Sequence, residues 1–207
     1  MSNPLNRLEG FKLDVLKEVG NIGAGNAATA LSRLLDKPVD MKVPSVNIMP
    51  FEQIADKVGG FEQVVAAIYM RVEGEAPGNM FFLIQQEAVK KLLGSLLAAD
   101  AGERIPYTEM ENSALAEIGN ILGGSYLSSL ADFTRLAMLP TVPATAVDMA
   151  GAILSYGLVQ SGEMGDSALL IDTTFLEGRE SFAGHFFFIP DPESFDTIFN
   201  ALGVASE

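Results

Sequence analysis

One polar pattern occurs twice in this chain of 207 residues, and any fold must accommodate both copies. The first is Asp14, Glu18 and Asn21 within DVLKEVGNIGAGNAATAL; the second is Ser113, Glu117 and Asn120 within SALAEIGNILGGSYLSSL. Both read [D/S]-x-x-x-E-x-x-N, 99 residues apart when Glu18 is set against Glu117. Positions i, i+4 and i+7 share one stripe of an α-helix, so each copy sets an acid beside an amide. The surrounding segments are identical at Leu16/Leu115, Glu18/Glu117, Gly20/Gly119, Asn21/Asn120, Ile22/Ile121, Gly25/Gly124 and Leu31/Leu130.

The order of elements repeats as well. Pro44-Ser45-Val46 follows the first copy and Pro140-Thr141-Val142 the second. Alternating apolar segments come next, VVAAIYMRVEG with NMFFLI in one half and ALLIDTTFLEG with HFFFI in the other. Short turn-rich joins (GEAPGN, EGRESFAG) favour antiparallel hairpins over parallel crossovers. Each half closes on a helix-like stretch, EAVKKLLGSLLAA or PESFDTIFNALG. The expected architecture is α+β: a pseudo-twofold duplication with a shared, mainly antiparallel sheet and both motif helices on one face. It is read as a single domain over 1–207, built from repeats at about 8–100 and 107–205. One departure stands out. VDMAGAILSYGLVQ (147–160) has apolar residues at helical spacing, whereas the first half has FEQIADKVGGFEQ. An extra helix carrying Asp148 is expected there, either as a docking surface or as a cover for the sheet edge.

On the first motif helix, Leu13, Leu16, Val19 and Ile22 form an apolar stripe, leaving Asp14, Glu18, Asn21 and Gly25 outward. On the second, Leu115, Ile118, Ile121 and Leu122 face in, with Ser113, Glu117, Asn120 and Gly124 outward. Gly20, Gly23 and Gly25 each cost about 1 kcal/mol relative to Ala inside a helix. Close approach of another backbone explains them, on an outward docking surface or between the two halves; the alternative is that they mark the end of the helix.

Chemically the pattern is spare. A carboxylate can act as a base or an ion-pair anchor, and an amide can hold a water by donating and accepting at once. His185 is the single histidine and reads as a strand residue in HFFF, and cysteine is absent, so thiolate chemistry and Cys–metal sites are excluded. GAGNAA (23–28) formally matches the dinucleotide fingerprint, but it follows a helical segment where that fingerprint needs a buried strand. If a reaction occurs at these helices, the substrate must bring most of the apparatus. A net charge of −14 disfavours nucleic acid, whose binding rests on Lys and Arg. No apolar run reaches the roughly 18 residues of a membrane helix, and MSNPLNRLEG lacks an apolar signal core; a cytoplasmic protein is expected.

These residues carry a resemblance. LKEVGNIGAGNAATALSRLL, VPSVNIMPFEQ, SALAEIGNILGGSYLSSLADF and VDMAGAI together resemble the CheC family of chemotaxis phosphatases along essentially the whole chain. Within that group, CheX keeps one active motif and FliY adds a flagellar-switch domain; this sequence has both motifs and is most similar to CheC itself. The resemblance implies hydrolysis of the aspartyl phosphate on the response regulator CheY. Asn21 and Asn120 then match the amide that orients the attacking water. Glu18 and Glu117 match the acid that pairs with the regulator's active-site lysine, and Asp14 and Ser113 are supporting. Mg²⁺ would come with the regulator, and no cofactor or metal would be bound by this chain. The region of Asp148 matches the helix that docks the receptor deamidase CheD. Two further readings stay open: a non-catalytic docking module for CheY or CheD, and a packing role that would bury and pair Glu18 and Glu117.

Overall fold

Two hairpins form the middle of one sheet in the computed structural model, which describes residues 4–43, 45–50, 53–97, 100–102, 104–161, 167–177 and 180–202. The first half runs α1 (Pro4–Leu35), β1 (Val39–Lys42), β2 (Val46–Pro50), α2 (Ile54–Lys57), β3 (Val64–Gly74), β4 (Gly78–Gln85) and α3 (Gln86–Leu96). The second repeats that order as α4 (Glu109–Thr134), β5 (Met138–Pro140), β6 (Ala144–Met149), α5 (Ala150–Ser161), β7 (Ser167–Glu177), β8 (Glu180–Pro190) and α6 (Pro192–Ala201). The hairpins β3–β4 and β7–β8 are antiparallel, as the short joins require, and meet edge to edge through β4 and β8.

The outer strands cross over. β1 and β2 of the first half line β7 of the second, while β5 and β6 line β3 of the first. The result is one eight-stranded sheet to which both halves contribute on both sides.

Period-two alternation divides the strand residues between two cores. Met80, Phe82, Ile84, Phe186 and Phe188 meet Leu16 and Val19 of α1 and Leu115, Ile118 and Leu122 of α4. Phe81, Leu83, Phe187 and Ile189 face the other way, under Ile54 and Ala55 of α2 and Ile153 and Leu154 of α5. Cover on both faces is why β4 and β8 are almost continuously apolar. Each such side chain contributes about 1.5–3 kcal/mol by leaving water. The two motif helices therefore lie on one face, side by side.

α4 has a defined start. The Thr108 hydroxyl accepts from the Glu111 backbone N–H at 3.2 Å, and the Glu111 carboxylate accepts from the Thr108 N–H at 2.7 Å, a reciprocal capping box. Its other end is closed by Arg135 in the left-handed conformation (φ 60°).

Four expectations change. Asp148 is not on a helix: residues 144–149 form β6, paired with the outer edge of β3 (Asp148 opposite Val65), and α5 begins only at Ala150. An open ladder on β3 outweighs a short helical periodicity. Nor is α5 extra, because α2 occupies the corresponding place in the first half. Ile22 is 48% exposed, since the buried stripe of α1 turns through Gly23, Ala24, Ala27 and Ala28. Lastly, strand register keeps the 99-residue offset beyond the helices. Val46 stands opposite Ile171 and Thr145 opposite Ile68, so Ser45 corresponds to Ala144 rather than to Thr141.

Candidate functional site

Each motif helix presents its polar stripe to solvent. Asp14, Glu18 and Asn21 are exposed on α1, as are Ser113, Glu117 and Asn120 on α4. Among the described residues no hydrogen bond or ion pair engages the side chain of Glu18 or Glu117. Burial and pairing of these acids, which a packing role needs, are not found.

The amides differ. Asn21 Oδ1 accepts from the backbone N–H of Val43, just beyond β1, at 3.2 Å. Among the described residues Asn120 has no such partner. Large apolar side chains flank both stripes. Phe11 is 59% exposed and Met110 is 68% exposed, and they occupy equivalent positions one turn before Asp14 and Ser113. Isolated exposed apolar residues are ordinary, but recurrence at one register beside each acid–amide pair is informative.

The glycines divide by role. A Cβ at Gly23 would stand 3.0 Å from the Cα of Tyr126, so this glycine lets α1 and α4 approach closely. Gly119 sits over Ile68 and Gly20 over Val43 and Ile171, against the sheet. Gly25 and Gly124 meet nothing within 4 Å and leave the helix surface flat beside Asn21 and Asn120. Packing between the halves thus accounts for Gly23 and contact with the sheet for Gly20, while Gly25 lies on the open surface.

Asp148, which is exposed, lines an apolar cleft on the opposite sheet face with Tyr69, Phe81, Ala144 and Ala146. The cleft and the motif helices are on opposite sides of the sheet. His185 is a strand residue, and its Nδ1 lies 2.9 Å from Asp172 Oδ1, whose other oxygen accepts from Ser45 Oγ at 2.6 Å. The His185 hydrogen bond, with that of Ser45, holds the Asp172 carboxyl below the usual carboxylate range. Sequence reasoning singled out neither Asp172 nor Ser45; an acid inside the apolar run ALLIDTTF was the available signal. Among the described residues no group of three or more His, Asp or Glu is placed to hold a metal ion.

Comparison with known proteins gives a consistent result. A model of the CheC-like family matches the chain twice, over residues 11–48 and 110–147. Those spans keep the same offset as the structural repeat. CheY-P phosphatase CheC of Bacillus subtilis (strain 168) is 38% identical over 97% of this chain and 98% of its own length. The putative CheY-P phosphatase CheC1 of Halobacterium salinarum is 22% identical over 92% of this chain and 96% of its own. The solved structure of FliY from Thermotoga maritima shares the fold, with a TM-score of 0.71 at 16% identity and full coverage of both chains. With 38% identity over nearly the whole length of one relative and a twice-matched motif segment, the chain belongs to the CheC-like family.

Proposed function

We propose that this chain is a protein aspartyl-phosphate phosphatase that accelerates dephosphorylation of the chemotaxis response regulator CheY. The observation that carries this reading is the pair of exposed carboxylates, Glu18 and Glu117, without a partner among the described residues and each one turn from an outward amide on a helix face flanked by apolar residues. The relative of 38% identity named CheY-P phosphatase CheC supports it.

The chemistry is the one the family resemblance implies. Water attacks the phosphorus, the bond between phosphorus and the aspartyl oxygen breaks, and inorganic phosphate leaves from a restored carboxylate. The regulator brings the phosphoaspartate and its Mg²⁺. Asn21 or Asn120 orients the water, and Glu18 or Glu117 anchors the amide by pairing with a lysine of the regulator. Asp14 and Ser113 support the start of each stripe. Phosphoryl transfer rewards positioning more than covalent help. A 100-fold acceleration needs about 2.7 kcal/mol, within reach of one held water and one ion pair.

Asp148 and its cleft are proposed as the surface for CheD, so the two partners would approach opposite faces of the sheet. The exchange of outer strands supports reading the two repeats as one domain. No described helix is long and apolar enough to cross a membrane, and a cytoplasmic site of action fits chemotaxis signalling. A docking module without catalysis is the second reading.

Decay of phosphorylated CheY with and without the protein, in Mg²⁺ buffer, decides between them. Acceleration that vanishes in a folded Asn21→Ala, Asn120→Ala double variant establishes the phosphatase. Binding without acceleration establishes the docking module. Asp148→Lys should abolish CheD binding and leave the decay rate measured without CheD unchanged.

A further inference from the structure

We propose that Ser45, Asp172 and His185 are positioning residues for Asn21, acting through the backbone of Val43, and that Asn120 works without such a clamp. The inference rests on the phosphatase reading above and deepens it for the first site.

The Val43 N–H bond does more than limit the Asn21 rotamer. Only the oxygen of a carboxamide accepts from an N–H, so the bond also decides which end of the amide turns away from the strand. The oxygen keeps a second lone pair, and the NH₂ faces outward. Where Val43 sits therefore determines how the amide is presented. Val43 is 2% exposed and its γ-methyls lie under Gly20.

Two residues on, the chain is gripped from the opposite face of the sheet. The Asp172 N–H donates to the Ser45 carbonyl at 3.1 Å, and the Ser45 hydroxyl donates to Asp172 Oδ2 at 2.6 Å. Asn47 Nδ2 donates to the same hydroxyl oxygen at 3.1 Å, and His185 takes the remaining carboxylate oxygen. Asp172 thus holds Ser45 by main chain and side chain together and is itself oriented by His185. Its lowered pKa keeps it the ionised acceptor this arrangement needs.

The second half offers an internal control. Ile171 lies beneath Gly20 as Ile68 lies beneath Gly119, so Asp172 corresponds to Tyr69. His185 stands opposite Asp172 and Phe81 opposite Tyr69, and Ser45 corresponds to Ala144. The polar trio is replaced by Ala144, Tyr69 and Phe81, which line the apolar cleft instead. Val142, the equivalent of Val43, is 88% exposed. One half has used this location to hold its amide, and the other has opened it as a cleft.

The test uses the full chain with one site at a time, Asn120→Ala leaving the first and Asn21→Ala the second. Ser45→Ala and, separately, Asp172→Asn are added to each. With only the first site present, kcat on phosphorylated CheY should fall about ten-fold with KM within about two-fold, since small misplacements of a reacting group carry such penalties. With only the second site present, neither parameter should change. Ser45→Thr, which keeps the hydroxyl, should restore the rate. Hydrogen exchange at the Val43 amide should speed up in Ser45→Ala of the otherwise unaltered chain. Equal loss in both backgrounds, or no loss in either, overturns the clamp. If neither single-site protein accelerates decay, the phosphatase reading fails and Val43 exchange alone decides: unchanged protection then overturns the clamp as well.

Discussion

Gly23 of α1 lies against Tyr126 of α4, so closely that a Cβ at position 23 would stand 2.9 Å from the ring's Cδ1. This contact sets the spacing of the two motif helices, and therefore of the two acid–amide stripes. Gly23→Ala should destabilise the fold by about 1–3 kcal/mol, the usual range for overpacking. Gly25→Ala, two residues away in open space, should be neutral or gain up to about 1 kcal/mol from helix propensity. Thermal or denaturant unfolding of the pair distinguishes them, and equal effects would contradict the helix contact.

Tyr126 also makes a pH prediction. Its hydroxyl bonds to Thr173 Oγ1 at 2.9 Å inside the core, and burial pushes the phenol up to about 12. An unfolded tyrosine ionises near pH 10. The folded state thus prefers the neutral phenol, a preference fully in force below about pH 10 and lost as pH rises through 12. Phenolate absorbance should show Tyr126 silent at pH 11, in difference spectra against Tyr126→Phe. Ionisation near pH 10 with the fold intact would refute the buried bond.

The capping box at the start of α4 stands one turn before the second motif. Thr108→Ala should cost about 1 kcal/mol of stability. Exchange of backbone amides near Ser113 should rise while α1 is unaffected. Uniform exchange across both helices would mean that the cap does not act locally.

Phe11 and Met110 offer a test of docking separate from chemistry. Phe11→Ser with Met110→Ser removes two exposed side chains, so unfolding should be unaltered. KM for phosphorylated CheY should rise about ten-fold, equivalent to roughly 1.4 kcal/mol of lost contact. A fall in kcat at constant KM would place these residues in the reaction instead.

Much of this was readable from residue order. The polar stripes follow from spacing, although Ile22 on the expected buried side is exposed, and the hairpins follow from alternation and short joins. Register was less legible: two prolines suggested aligning Ser45 with Thr141, but pairing to Ile171 and Ile68 sets it against Ala144. Asp148 reads as helical because its neighbours are small and apolar, yet the bare edge of β3 claims it for a strand. Which hairpin each outer strand borders is a long-range choice that no local pattern encodes. The bond from Val43 to Asn21 belongs to the same class, because it depends on where β1 ends against β7.

The crossed outer strands make each half unfinished. Residues 4–97 alone would leave β1 and β2 without a ladder and bare both edges of the β3–β4 hairpin, the condition that invites strands from another molecule. Two such fragments would satisfy each other only by trading borders, as a swapped homodimer does. The present chain is that dimer made continuous, with the mate always supplied at one-to-one stoichiometry. Its two places of exchange need not match: one is polar around Asp172 and the other apolar around Tyr69.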